Sequence, residues 1–248
     1  ADHWRDCHPL TDEQLSGRIR QDGIDILVDL TGHISGGKRM LVFARKPAPV
    51  QITWIGYEGT TGLTAIDHIL ADRHMIPVGA EPYYREQALR MPDAYVCFDP
   101  PLGGPQVGPL PAQSKGYVTF GSFNNLTKIG PQVVEVWTDI LRRVPRSQLV
   151  MKYRGLGDEM VRRQYLDRFT AFGVEPHRLV LLPPSSRSDY LADYDHIDIA
   201  LDPFPFSGSA TTCDALWMGV PVVTCAGETF ASRHGLTHLS NVGLADGF

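Results

Sequence analysis

Residues 198–224, DIALDPFPFSGSATTCDALWMGVPVVT, bring together the residue types best suited to chemistry in this chain. They read as a short buried strand at 199–201, a loop rich in Pro, Gly and Ser, a helix opening at 209–212 and a second apolar strand at 220–223. A helix that starts after a strand with small and hydroxylated residues turns free N–H groups and its positive dipole end toward an anion, and a phosphate suits it. Thr211 and Thr212 add hydroxyl donors, and Asp214, one turn in, is an acceptor for a sugar hydroxyl. Ser209 or Thr211 acting as a plain helix cap fits the same residues, and both readings stay open at this point. The loop FNNLTKIG at 123–130 also lies between a strand and a helix. Lys128 therefore belongs at the carboxyl edge of a sheet beside that helix start, as a point charge for a departing diphosphate or as an ordinary solvated lysine.

Two further candidates have bland explanations. Asp193-Tyr194-Asp195 has the DxD spacing of carboxylates that hold a divalent ion on a diphosphate, yet a charged helix end before the strand at 197–201 accounts for it equally. His33, after Thr31-Gly32, sits at the end of an apolar strand, where a histidine is more often a hydrogen-bonded structural residue than a base. The same caution covers His8, His68, His234 and His238. The loop GYEGTTG at 56–62 is either a turn or a place where a substrate approaches backbone closely.

These residues need a scaffold, and the chain supplies the pattern of one. After residue 116 strand and helix alternate: strand 117–121, helix 131–144, strand 148–153, helix 158–172, strand 179–182, helix 187–194. In the first of these helices Val133, Trp137, Ile140, Leu141 and Val144 share one face, which packs on a sheet. Alternating units of this length predict a parallel sheet covered on both sides, a Rossmann-like lobe, without the GxGxxG fingerprint of dinucleotide binding. Upstream, Thr11 and Gln14 open a helix at 11–22, strands follow at 24–30, 50–54 and 66–71 around a short helix at 39–45, and 75–85 is irregular. Residues 99–115, DPPLGGPQVGPLPAQSK, read as a Pro/Gly linker, so the expected division is 1–98, linker 99–115 and 116–248.

Bulk properties narrow the class. The 248 residues are 43% hydrophobic and 21% charged, which fits a globular protein with a core. A net charge of -5 gives no pull toward nucleic acid or an anionic membrane, and no apolar run is long enough to span a bilayer. Cys7, Cys97, Cys213 and Cys225 are scattered without a CxxC pair, so neither zinc site nor disulfide framework is suggested, and a reducing cytoplasm fits. The chain opens on Ala1 without an initiator Met, which reads as a piece of something longer.

The segment DALWMGVPVVT resembles the donor-binding helix of the O-linked N-acetylglucosamine transferases, in particular bacterial members with tetratricopeptide repeats. DGIDILVDLTGH (22–33), FARKPAPVQITWIGYEGTTG (43–62), TFGSFNNLTKI (119–129) and GETFASR (227–233) resemble the same family in the same order. The resemblance implies an α/β fold of two Rossmann-like lobes with parallel sheets, the GT-B architecture, with the first lobe incomplete and the 56–62 loop near the cleft. It implies a cytoplasmic, inverting, metal-independent glycosyltransferase that uses no cofactor and moves N-acetylglucosamine from a UDP-sugar to Ser or Thr of a protein acceptor. Transfer of another sugar or to another acceptor, for example glucose to Asn, and UDP binding without turnover are the alternatives. The tetratricopeptide repeats and the general base would lie upstream of residue 1.

By the same carry-over Lys128 binds the donor pyrophosphate and Asn125, where animal members have Gln, keeps an amide near phosphate. Ser185 offers backbone groups to the uracil, Arg187 lies against the base, and Tyr190, in place of a His, stands on its other side or packs on its own lobe. Ser209 and Ala210 replace a His and a Thr, leaving Thr211, Thr212 and the helix start to compensate, while Asp214 accepts the ribose hydroxyls. No residue is expected to hold a metal.

Overall fold

The computed structural model describes residues 3–34 and 39–245, so Ala1 lies outside the described residues. The chain forms two compact units, Ala1–Cys97 and Phe98–Phe248. Among the described residues no helix is long and apolar enough to cross a membrane.

The first unit opens with helix α1 (Asp12–Gln21), capped as predicted: Thr11 accepts the Gln14 N–H and the Gln14 side chain accepts the Thr11 N–H. Four strands, β1 (Ile26–Asp29), β2 (Val50–Thr53), β3 (His68–Asp72) and β4 (Gln87–Met91), form a parallel sheet in that order, with helix α2 (Met40–Ala44) between the first two. The strand expected at 24–30 forms as β1, an edge strand with Ile26 57% and Val28 41% exposed. β4 has no counterpart in the sequence reading. Its residues, QALRM, carry little β pattern, and pairing with β3 along five residues fixes their conformation.

Loops at the carboxyl ends of these strands are tied down by carboxylates. Asp29 accepts the N–H groups of Thr31 and Gly32 and the Thr53 hydroxyl. Buried Glu86 accepts the Thr60 hydroxyl and, from Thr61, both N–H and hydroxyl, which pins the 56–62 loop. His33 Nε2 lies 2.8 Å from the Thr61 carbonyl oxygen and its ring meets Tyr57 edge-on, the structural role expected for it. Gly32 is required here: its φ is +53° and a Cβ would lie 2.3 Å from that of Tyr57.

The second unit contains α3 (Pro111–Lys115), β5 (Thr119–Ser122), α4 (Pro131–Arg143), β6 (Gln148–Lys152), α5 (Glu159–Ala171) and β7 (Leu179–Leu182). It continues through α6 (Arg187–Ala192), β8 (Ile199–Leu201), α7 (Ala210–Trp217), β9 (Val222–Val223) and α8 (His234–Asn241). All five strands are parallel, in the order β7-β6-β5-β8-β9. Both faces are covered, as the alternating pattern predicts. On one side Phe120, Leu149 and Met151 pack with Trp137 and Leu141 of α4 and with Tyr165 and Phe169 of α5. On the other, Val150 and Ala200 pack with Leu191 of α6 and with Ala215 and Met218 around α7. Alternate strand residues serve opposite faces, so the sheet reads as continuously apolar.

Helix α8 was not legible in HGLTHLSN, whose His, Gly, Thr and Asn are weak helix formers. It forms because His234, Gly235, Thr237, His238 and Leu239 are buried against the lobe. The 99–115 segment groups with this unit. Its Gly108 N–H donates to Asp195 and its Ala112 N–H to Asp198, at 3.0 and 2.8 Å, and its end forms α3.

Topology places the candidate residues. From the central β5 the chain winds outward through β6 and β7, then returns to the other flank of β5 as β8. Loops leaving β5 and β8 therefore diverge to opposite faces and open a crevice at their carboxyl ends, the switch point where open α/β sheets bind ligands.

Candidate active site

Lys128 ends a 3-10 turn, Leu126–Lys128, in the loop after β5. Its Nζ donates to the Ser207 carbonyl at 2.8 Å and lies 3.9 Å from the centre of the Phe206 ring, both in the loop after β8. The ammonium is thus seated in the crevice, not freely solvated. Asn125 caps the same turn by accepting the Thr127 N–H.

At the start of α7, Ser209 makes no side-chain cap bond; its hydroxyl lies 3.4 Å from Nε2 of buried His238. The first amides to find an acceptor in the helix are those of Thr212 and Cys213, both on the Ser209 carbonyl. The Ala210 and Thr211 amides have no acceptor among the described residues, as is usual for the first turn of a helix. The hydroxyls are already engaged. Thr211 donates to Asn124 Oδ1 at 2.9 Å, and buried Thr212 donates back to the Gly208 carbonyl at 3.0 Å. Ala210 is exposed at the helix tip.

Asp214 is buried one turn in, and Arg187 of α6 grips its carboxylate with both terminal nitrogens, one at 2.9 Å. That carboxylate, with its hydrogen bonds first, holds the guanidinium proton more tightly than usual. Arg187 also sits over the Tyr190 ring, 5.2 Å from its centre. The Tyr190 hydroxyl meets that of Tyr194, which reaches the Thr211 carbonyl, and burial pushes both phenols upward from their ordinary value. Phe123 packs against both rings. Tyr190 thereby packs within its own lobe, against Phe123 and Tyr194 and beneath Arg187. Ser185 is exposed just before α6.

The DxD carboxylates are engaged elsewhere: Asp193 pairs with Lys152 at 2.6 Å and Asp195 accepts the Gly108 N–H. Among the described residues no group of three or more His, Cys, Asp or Glu could hold a metal ion.

Sequence reasoning missed Asp202, Asn124, Tyr194, Phe206 and Ser207. Asp202, directly after β8, accepts the Gly208 N–H and the Thr224 hydroxyl, and burial pushes its carboxyl up to about 7 despite those bonds and nearby Lys128. Only its position directly after a buried strand could have signalled it.

Two parallel-stranded α/β units, the second with basic and dipolar groups converging at a switch point, have the fold of the GT-B glycosyltransferases. The lipopolysaccharide outer core galactosyltransferase WaaB shares this fold at a TM-score of 0.54 and 14% identity, over 85% of this chain and 59% of its own. The profile described as Glycosyl transferase family 41 matches residues 2–100 and 109–247, and the chain belongs to that family. A lysine-to-methionine variant of the O-GlcNAc transferase of Thermobaculum terrenum superposes at a TM-score of 0.94 with 43% identity, over 99% of this chain and 46% of its own. The probable UDP-N-acetylglucosamine–peptide N-acetylglucosaminyltransferase SPINDLY of Petunia hybrida is 43% identical over 97% of this chain. The chain spans about a quarter, 26%, of the length of that relative.

Proposed function

We propose that this chain carries the donor site of an inverting, metal-independent transferase that moves N-acetylglucosamine from UDP-N-acetylglucosamine to Ser or Thr hydroxyls of protein acceptors. The observation that carries this reading is the convergence, at the β5/β8 switch point, of the Lys128 ammonium and the open amides of α7. A UDP-N-acetylglucosamine donor and a peptide acceptor are supported by the activity named for the SPINDLY relative.

In this reading the acceptor oxygen attacks the anomeric carbon as the bond to the diphosphate breaks, and a single displacement inverts the centre. The acceptor proton passes to a general base. UDP leaves with the bonding electrons, and its growing charge is met by Lys128 and the Ala210 and Thr211 amides. Asp214 takes the ribose hydroxyls, its plane fixed by Arg187; Tyr190 and Ser185 border the base, and Asn125 lends its amide to the phosphates. Metal independence is supported by the engagement of Asp193 and Asp195 within the lobe, which leaves the cationic work to Lys128 and the helix. A cytoplasmic setting is supported by the four free cysteines.

The test is transfer by the parent polypeptide to a Ser/Thr peptide library, read by mass spectrometry with EDTA present. A peptide mass increase of one N-acetylhexosamine on Ser or Thr is the expected result. Product only with added divalent metal contradicts metal independence, and modification of Asn alone contradicts the acceptor class.

A further inference from the structure

Asp202 has no place in the donor contacts above, yet it is 4% exposed and carries a carboxylate into the lobe, which is costly without strong partners. Its two oxygens are divided between two elements. Oδ1 accepts the Gly208 N–H at 2.6 Å, closing the loop 203–207 on itself, and Oδ2 accepts the Thr224 hydroxyl at 2.7 Å, just past β9. Its own N–H donates to the Val223 carbonyl. The closed loop presents Phe206 and Ser207, the two residues on which the Lys128 ammonium rests.

The surroundings leave room for little else. A Cβ on Gly208 would lie 3.0 Å from Asp202 Oδ1, 2.5 Å from Thr211 Oγ1 and 2.8 Å from Asn124 Oδ1. On the far side, a Cβ on Gly235 would lie 2.9 Å from Asp202 Oδ2 and 2.4 Å from Thr224 Oγ1. Two glycines in different elements thus let backbone close around one carboxylate.

Building on the donor-site reading, we propose that Asp202 is the positioning residue for phosphate recognition: by clamping Gly208 to Thr224 it fixes the loop that seats Lys128. Asp202 touches no substrate in this account and acts through Ser207 and Phe206. The nucleoside side of the site, Arg187, Tyr190 and Asp214, is held by the Arg187–Asp214 pair between α6 and α7, whereas the clamp meets α7 at its first turn, through the Thr212 hydroxyl on the Gly208 carbonyl. Loss of the clamp therefore separates phosphate from nucleoside recognition, which a general loss of structure does not.

The experiment is calorimetric titration of the 248-residue chain and its Asp202→Ala, Asp202→Asn and Thr224→Val variants with UDP and, separately, with uridine. Asp202→Ala should weaken UDP by about tenfold or more while uridine stays within about twofold, the size expected for hydrogen bonds to a charged group. Asp202→Asn should restore UDP to within about threefold, because the amide oxygen takes the Gly208 N–H and the Thr224 hydroxyl can turn to accept from the amide. Thr224→Val, which removes only one arm, should show a smaller selective loss and carries the test if Asp202→Ala does not fold. Equal weakening of UDP and uridine, or no weakening of UDP in any variant, overturns the proposal. A wild-type chain that binds neither ligand overturns the donor-site reading itself and this proposal with it.

Discussion

Arg187 and Asp214 form a two-point ion pair across α6 and α7 in which the carboxylate side chain is 4% exposed and the guanidinium side chain 53% exposed. The pair fixes the plane of the carboxylate assigned to ribose, while its exposed half can move. Lysine cannot reproduce a fork of two parallel bonds. Arg187→Lys should therefore weaken UDP by several-fold, and a double-mutant cycle with Asp214→Asn should show a coupling of about 1 kcal/mol, kept modest by solvent around the arginine. Additive losses would show that the pair does not act as a unit.

Lys128 is the residue assigned to the departing diphosphate. Lys128→Ala in the parent polypeptide should lower kcat about 100-fold or more, because the charge it meets grows between bound donor and transition state. Near-normal kcat with the donor saturated would remove Lys128 from the chemistry.

Asp202 gives the site a pH signature. Its folded value of about 7 stands above the 3.8 of an unperturbed aspartate, because burial penalises the carboxylate. The folded chain binds this proton more tightly, so the stability it contributes is full below about pH 4 and lost as pH rises through about 7. Melting temperature from about pH 5 to 8 should fall more steeply in the wild type than in Asp202→Asn, by several degrees over the range. Parallel curves would contradict the raised value.

Cys213 precedes Asp214 in α7, and burial together with that carboxylate pushes its thiol up to about 11. Cys97 and Cys225 are exposed. Iodoacetamide at about pH 8 should label those two at least tenfold faster than Cys213, read by peptide mass spectrometry. Fast labelling of Cys213 would mean that α7 opens.

Much of this was legible because local pattern and tertiary outcome agree in the second lobe. The apolar face of α4 and the runs at β6 and β7 each specify their element without help from neighbours. The helix start at residue 210 was readable for the same reason, since small residues follow a buried strand. β4 and α8 were not, because pairing with β3 and burial of two histidines, not propensity, decide them. At the candidate site the sequence nominated residues but not their partners. That Thr211 and Thr212 spend their hydroxyls on Asn124 and Gly208, and that Asp202 clamps the loop, depends on which strands flank β5, a fact of topology that no local window contains.

The central claim is that the β5/β8 crevice recognises a uridine diphosphate without a metal ion. Titration of the 248-residue chain with UDP, with and without magnesium and beside ADP, tests it most directly. Saturable UDP binding that magnesium does not alter and that ADP does not match is the expected result. Equal affinity for ADP, dependence on magnesium, or no binding by a folded sample would contradict it.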